Sequence, residues 1–319
     1  VRKHDARFPM SIFYAFQQSE TSDEGTVSTG WEKFLEALLS TGLTVMSTWP
    51  VRTEMPGGVR NFGRNSLASS IVLALRPRPA DAKLATRSEF LAALRAELPD
   101  AIRLLQKESI APVDMAQSAI GPGMAVFSRY AKVLEADGSP MTVRQALALI
   151  NEVLQEVLSA EETEFDADTR WALTWFEQYG LNPGPFGDAE TLSKAKGTSV
   201  SGVVRAGIAV QSGGKVRLVD RDELDRGWDP TSDPRLTVWE VTQHLIARLS
   251  ESETAAADLL ARVGAGVGER ARQLAYLLYQ VADRKGWAKE AVAYNSLVQT
   301  WPELRRLAAQ SSGTQNRML

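Results

Sequence analysis

Ser11-Ile12-Phe13-Tyr14-Ala15-Phe16, Leu43-Thr44-Val45-Met46-Ser47-Thr48-Trp49 and Ser70-Ile71-Val72-Leu73-Ala74-Leu75 are three apolar runs of strand length near the start of the chain. How they pair decides the fold. The first gives way to polar residues from Gln17 to Ser28, the second stops at Pro50 and the third at Pro77, so each reads as a bounded strand. Between the first two, Trp31, Phe34, Leu35 and Leu38 recur at helical spacing and form one apolar face. Thr29 with Glu32 three residues on can satisfy two free amides at that helix's start, and Gly42 supplies its stop. Strand, helix, strand, long loop, strand predicts a right-handed parallel crossover, with the third strand returning antiparallel beside the second. The expected class is α/β, with a partial Rossmann-like sheet of three strands and one helix. One helix cannot cover both faces of such a sheet. The first strand should therefore expose an edge, to be covered by another chain segment or by helices from downstream.

Composition limits the functional classes. The chain has 319 residues, 44% hydrophobic and 24% charged, enough for a sizeable core in two or three domains. It has no run of eighteen apolar residues and no charged-then-apolar leader, so membrane and secretory roles are not indicated and a cytoplasmic location is expected. With no cysteine and only His4 and His244, disulfides, cysteine-based metal sites and a histidine-rich metal site find no residues to build them. Net charge is −3, which argues against nonspecific nucleic-acid binding by the whole surface. Residues 49–78 depart from that balance: Arg52, Arg60, Arg64, Arg76 and Arg78 stand against Glu54 alone. Such a loop, with Gly57-Gly58 and Gly63, could set guanidinium groups against phosphates, or could be a solvated loop whose arginines pair with nearby carboxylates.

The quoted strands also carry a resemblance. Phe13-Tyr14-Ala15-Phe16-Gln17-Gln18, Thr29-Gly30-Trp31-Glu32, Thr48-Trp49-Pro50-Val51-Arg52-Thr53-Glu54 and Asn65-Ser66-Leu67-Ala68-Ser69-Ser70-Ile71-Val72-Leu73 resemble the C-terminal part of the large adenine-specific DNA methylases. That family carries a zinc ribbon and an N-terminal domain of unknown function, and some members sit in anti-phage gene clusters. Thr237-Val238-Trp239-Glu240 and Ala293-Tyr294-Asn295-Ser296-Leu297-Val298 are similar to the same family's tail. The resemblance implies S-adenosylmethionine as methyl donor, bound at a glycine turn after the first strand. It also implies an Asp-Pro-Pro-Tyr segment after the fourth strand that holds a flipped adenine. Neither motif is present and no Pro-Pro pair occurs. The run at Ser11 therefore takes the place of the family's fifth strand, and no cofactor and no catalytic residue are expected in this chain alone. The start at Val1 fits a truncated product, a fragment or an alternative start codon. By the same mapping, Arg52, Glu54, Arg60, Arg64 and Asn65 are expected on the DNA or target-base side, outside the carboxyl ends of the strands. The implied partners are DNA, the missing N-terminal half of the methylase domain and other defence-system proteins, with no membrane.

From about Asp81 the pattern turns helical. Pro77, Pro79 and Ala80-Asp81-Ala82-Lys83 suggest a hinge. Helices are predicted over 88–98 and 100–108, separated by Pro99, and over 143–158 and 168–179. Trp171, Trp175 and Phe176 in the last of these read as core. Two short helices, 189–196 and 199–205, then precede two strands joined by Gly213-Gly214, a winged-helix outline. Here Lys194, Lys196, Arg205, Lys215 and Arg217 either touch the DNA backbone or are exposed cations on a small insert. Asn182-Pro183-Gly184-Pro185-Phe186 only imitates a methylase tetrapeptide, because Gly184 separates the prolines, and it reads as a helix terminator. Glu161, Glu162, Glu164, Asp166 and Asp168 read as a solvated helix start. Gly264-Ala265-Gly266-Val267-Gly268 follows a helix and not a strand, so it reads as a flexible turn and not a nucleotide loop. Val238, Val241, Leu245 and Leu249 form one late stripe, and Ala271, Leu274, Leu278 and Val281 another. The expected domains are 1–80, 81–235 and 236–319. The expected function is the C-terminal portion of an S-adenosylmethionine-dependent DNA adenine N6-methyltransferase, inactive alone. The alternatives are a non-catalytic DNA-binding or adaptor protein using the winged-helix outline, and a helical interaction scaffold.

Overall fold

The structure, a computed structural model, describes residue 5 and residues 7–15, 29–52 and 69–315. The chain divides into two compact units, Val1–Leu158 and Ser159–Leu319. The first unit begins β1 (Met10–Ala15), α1 (Thr29–Ser40), β2 (Leu43–Arg52), β3 (Ser69–Pro77). The order in the sheet is β1-β3-β2, and β3 is antiparallel to both neighbours. This corrects the expected fold. β1 and β2 run in the same sense but do not pair, so there is no parallel crossover sheet and no Rossmann-like half-domain. The smaller strands form separate short sheets, and helices make up most of the rest. The physical reason lies in β3, whose Ile71, Leu73 and Leu75 are almost fully buried. Between the other two strands it gains antiparallel pairing on both sides, which is slightly more stable per residue than parallel pairing.

Paired residues share a sheet face, so Met10, Leu75 and Val45 lie together, as do Ile12, Leu73 and Thr48. That face is buried. Tyr14 touches Trp31 and Phe34 of α1, with ring centroids 4.7 Å apart in each case. α3 (Pro112–Ser128) packs against β2. α3 is a helix of small residues, and this governs how it packs. A Cβ added to Gly121 would lie 1.5 Å from Thr48 Oγ1, and one on Gly123 would lie 2.5 Å from Ile150 Cγ1 in α4 (Val143–Ala160). β2 shifts register between Val45 and Ser47, a bulge that disturbs the ladder locally. The Val45 amide donates instead to Ser128 Oγ at 2.9 Å, and Ser128 also bonds Thr44 Oγ1 at 2.9 Å.

β4 (Leu84–Thr86) pairs in parallel with β5 (Lys132–Leu134). α2 (Arg87–Lys107) opens on a full capping box between Thr86 and Glu89. The predicted break at Pro99 is absent. Phe90, Leu94, Leu98 and Ile102 form one buried stripe that crosses the proline without a change of phase, and this burial outweighs the lost backbone hydrogen bond.

The second unit opens with α5 (Ala167–Tyr179), in which Trp171, Trp175 and Phe176 are fully buried. Trp171 and Trp175 stack at 5.1 Å. Next come β6 (Gly184–Pro185), α6 (Phe186–Lys196), α7 (Val200–Arg205), β7 (Ala209–Ser212) and β8 (Lys215–Leu218). Four helices complete the unit: α8 (Val238–Glu251), α9 (Glu253–Val263), α10 (Ala265–Arg284) and α11 (Ala288–Gln315). α8 packs against α5, α9, α10 and α11, and every residue from Val238 to Ile246 is buried. Nine successive buried residues leave no solvent face, so this is the central helix of the unit. The glycine-rich segment at 264 is tighter than a flexible turn. Gly264, at φ +84°, is the single joint between α9 and α10, and Gly268 lies so close to α9 that a Cβ would meet Leu260 at 2.4 Å. Among the described residues no helix is long and apolar enough to cross a membrane.

Candidate nucleic-acid interface

The segment from α5 to β8 builds a winged-helix-like module. β6 pairs with β8 and β8 with β7, both antiparallel, so the two-residue strand before α6 joins the hairpin that follows α7. Gly213 and Gly214 have φ of +57° and +73°, the backbone a two-residue hairpin turn demands. The Asn182-Pro183-Gly184-Pro185 segment is thus more than a helix terminator, since Gly184–Pro185 is β6 itself. It requires glycine because a Cβ at Gly184 would sit 2.7 Å from Trp175 Cζ2.

The five cations expected on this module divide into two groups. Lys194 faces Glu190 at 3.4 Å, Lys196 pairs with Glu162 at 2.8 Å, and Arg217 grips both carboxylate oxygens of Glu223 at 2.6 and 2.9 Å. Arg205, at the exposed end of α7, and Lys215, beside the hairpin turn, are exposed and have no ion pair among the described residues. Arg52 closes β2 opposite Ser69; its side chain, together with Glu54, Arg60, Arg64 and Asn65, lies outside the described residues.

Behind the module is a buried polar seam that the sequence reading missed. Asp168 is 5% exposed, which corrects its reading as part of a solvated helix start. It accepts from Arg235 Nε at 2.6 Å and from the Thr198 hydroxyl. Asp166 caps α5 through the Thr169 amide at 2.8 Å and also accepts from the Val238 amide at 3.1 Å. These carboxylates tie α5, the turn before α7 and the start of α8 together. The spacings, 67 residues for Asp168 to Arg235 and 72 for Asp166 to Val238, leave no local signal in the sequence.

A second seam runs along α8. Burial pushes the Glu240 carboxyl up to about 9, with Asp233 adding to the rise, so it is protonated at neutral pH. One of its oxygens has no hydrogen-bond partner. Burial and Arg248 push His244 down to about 4, which leaves it neutral. Trp228 stacks on its ring at 4.1 Å and donates from Nε1 to Asp233 at 2.7 Å. The groove beside His244 is lined by charged side chains, among them two ion pairs: Arg221 with Glu290 at 2.5 Å, and Arg248 with Glu251 at 3.2 Å. Among the described residues no three metal-ligating side chains cluster. The accessible chemistry of the module is cationic contact from α7 and the hairpin, through Arg205 and Lys215.

Residues 166–318 match the family model described as a domain of unknown function (DUF8807). The match starts at the residue that caps α5 and takes in the winged-helix-like module and the four helices after it. No curated protein and no solved structure matches the chain.

Proposed function

We propose that this chain is the C-terminal portion of a cytoplasmic, S-adenosylmethionine-dependent DNA adenine N6-methyltransferase, with the donor-binding and catalytic segments carried on an N-terminal part that meets the free edge of β1. The motif resemblance of residues 11–78 motivates the reading, and the edge of β1 carries it. Among the described residues β1 pairs on one side only. Its sequence, Met-Ser-Ile-Phe-Tyr-Ala, has no charge and no proline. The opposite edge strand, β2, carries a bulge and Pro50, two devices that discourage further pairing. An edge left undefended next to one that is defended suits the side on which a sheet continues. Beside it, on the face away from α1 and α3, Phe13 and Trp49 are 71% and 54% exposed and flank Val72 in register, an apolar row suited to cover by the same missing half.

In this assignment the present chain contributes no donor site, and methyl transfer belongs to the joined protein. The DNA immediately upstream of the Val1 codon tests it. The expected result is an open frame encoding a glycine turn after a strand and an Asp-Pro-Pro-Tyr segment. A stop codon with a ribosome-binding site at that position would overturn the proposal.

A further inference from the structure

We infer that the winged-helix-like module binds the phosphate backbone of duplex DNA through Arg205 and Lys215, with little reading of bases. Residues 181–219 hold five lysines and arginines against two acids, Asp188 and Glu190, in a chain whose net charge is −3. Both acids are engaged: Asp188 accepts from the Tyr179 hydroxyl and Glu190 faces Lys194. Pairing inside the protein therefore engages Lys196 and Arg217 and, through an exposed surface pair, Lys194, leaving, among the described residues, unpaired positive charge at two places, the outer end of α7 and the root of the hairpin turn. In winged-helix proteins these two elements are the ones that reach the duplex, a helix in the groove and a hairpin along the backbone.

The shape of α7 sets what can be read. Val200, Gly202 and Val203 are buried, so Ser201 and Arg205, four residues apart, share the outward side. A helix of six residues spans roughly 9 Å. Two outward side chains, only one of them long, cannot present the several base-reading contacts on which sequence discrimination rests. The hairpin tip, Ser212-Gly213-Gly214-Lys215, carries no bulky side chain before the lysine and can approach a backbone closely. Contacts of this kind position a protein on DNA without specifying the site, which would leave sequence choice to another part of the protein.

This inference stands on the second unit and is independent of whether the first completes a methylase, because its test needs no methyl transfer. Binding of the full chain to a fluorescein-labelled duplex of about 20 base pairs is measured by anisotropy between about 50 and 200 mM NaCl, where phosphate contacts dominate the salt dependence. Arg205→Ala and Lys215→Ala should each lower the slope of log affinity against log salt by about 1. The double substitution Arg205→Glu with Lys215→Glu should weaken binding at least about tenfold at the lower salt. Arg217→Ala, whose guanidinium is held by Glu223, should leave the slope unchanged. Circular dichroism of each variant separates lost contacts from lost fold. Absence of duplex binding by the parent chain, or a slope unaltered in the folded Arg205→Ala and Lys215→Ala variants, overturns the inference.

Discussion

Glu240→Gln is expected to stabilise the second unit at pH 8 by a few kcal/mol, while leaving stability near pH 4 unchanged. The Glu240 carboxyl rises from its ordinary 4.5 to about 9 because burial, and then the nearby Asp233 carboxylate, disfavour its charge. Between those values the unfolded chain has released this proton and the folded one still holds it, so stability falls as pH rises, by about 1.4 kcal/mol per unit for a single group. Glutamine keeps the shape and a donor for Asp233 but cannot ionise, which removes that fall. His244 works in the opposite sense. Its pKa drops from 6.5 to about 4, so the unfolded chain binds a proton the folded one refuses, and stability is lost as pH falls from about 6.5 towards 4. The two slopes cancel between about 4.5 and 6.5, and the parent protein should be most stable on that plateau. Urea unfolding across pH 4 to 9 reads both effects. A Glu240→Gln profile that superimposes on the parent's would show that this carboxyl does not carry the pH dependence.

Gly121→Ala should destabilise the first unit by about 3 kcal/mol or more, the upper end of what overpacking costs, although the exchange is favourable in most helices. Alanine gains up to about 1 kcal/mol of helix propensity over glycine. Here the new Cβ would fall 1.5 Å from Thr48 Oγ1 and 2.5 Å from Thr48 Cβ. The second of these atoms is fixed to the β2 backbone and cannot swing away. α3 would have to lift from the sheet, taking Ser128 from the Val45 amide at the bulge. Gly266→Ala is the matched control, since nothing lies within 4 Å of a Cβ there, and it should be neutral or stabilising by about 0.5 kcal/mol. Thermal unfolding distinguishes the outcomes. A Gly121→Ala protein with the parent's melting temperature would contradict the close approach of α3 to β2, and adding Thr48→Gly should recover much of the loss.

The same residues show what a reader of the sequence can and cannot see. The three strands of the first sheet were legible as apolar runs, but their order was not, because period-two patterning records which residues face a core and not which strand lies alongside. α3 was invisible. Gly121-Pro122-Gly123 looks like a turn, whereas the glycines are there to let a helix lie flush against Thr48 and Ile150. Pro99 misled in the same way, since propensity predicts a break that the buried stripe of α2 overrides. The hairpin was legible from Gly213-Gly214 between β-branched runs, yet its third strand is only Gly184–Pro185, too short to leave a pattern. Of the five module cations, only the structure separates Arg205 and Lys215 from those held by Glu162, Glu190 and Glu223. Asp168 was misread because its partner, Arg235, lies 67 residues away, and nothing local distinguishes a buried carboxylate from the solvated ones beside it.

The most direct measurement is methyl transfer from labelled S-adenosylmethionine to duplex DNA, comparing the chain beginning at Val1 with a longer polypeptide that adds the proposed N-terminal part. The account predicts label on the N6 of adenine with the longer polypeptide and none with the shorter one. Transfer by the chain from Val1 alone, or no transfer by the folded longer polypeptide, would contradict it.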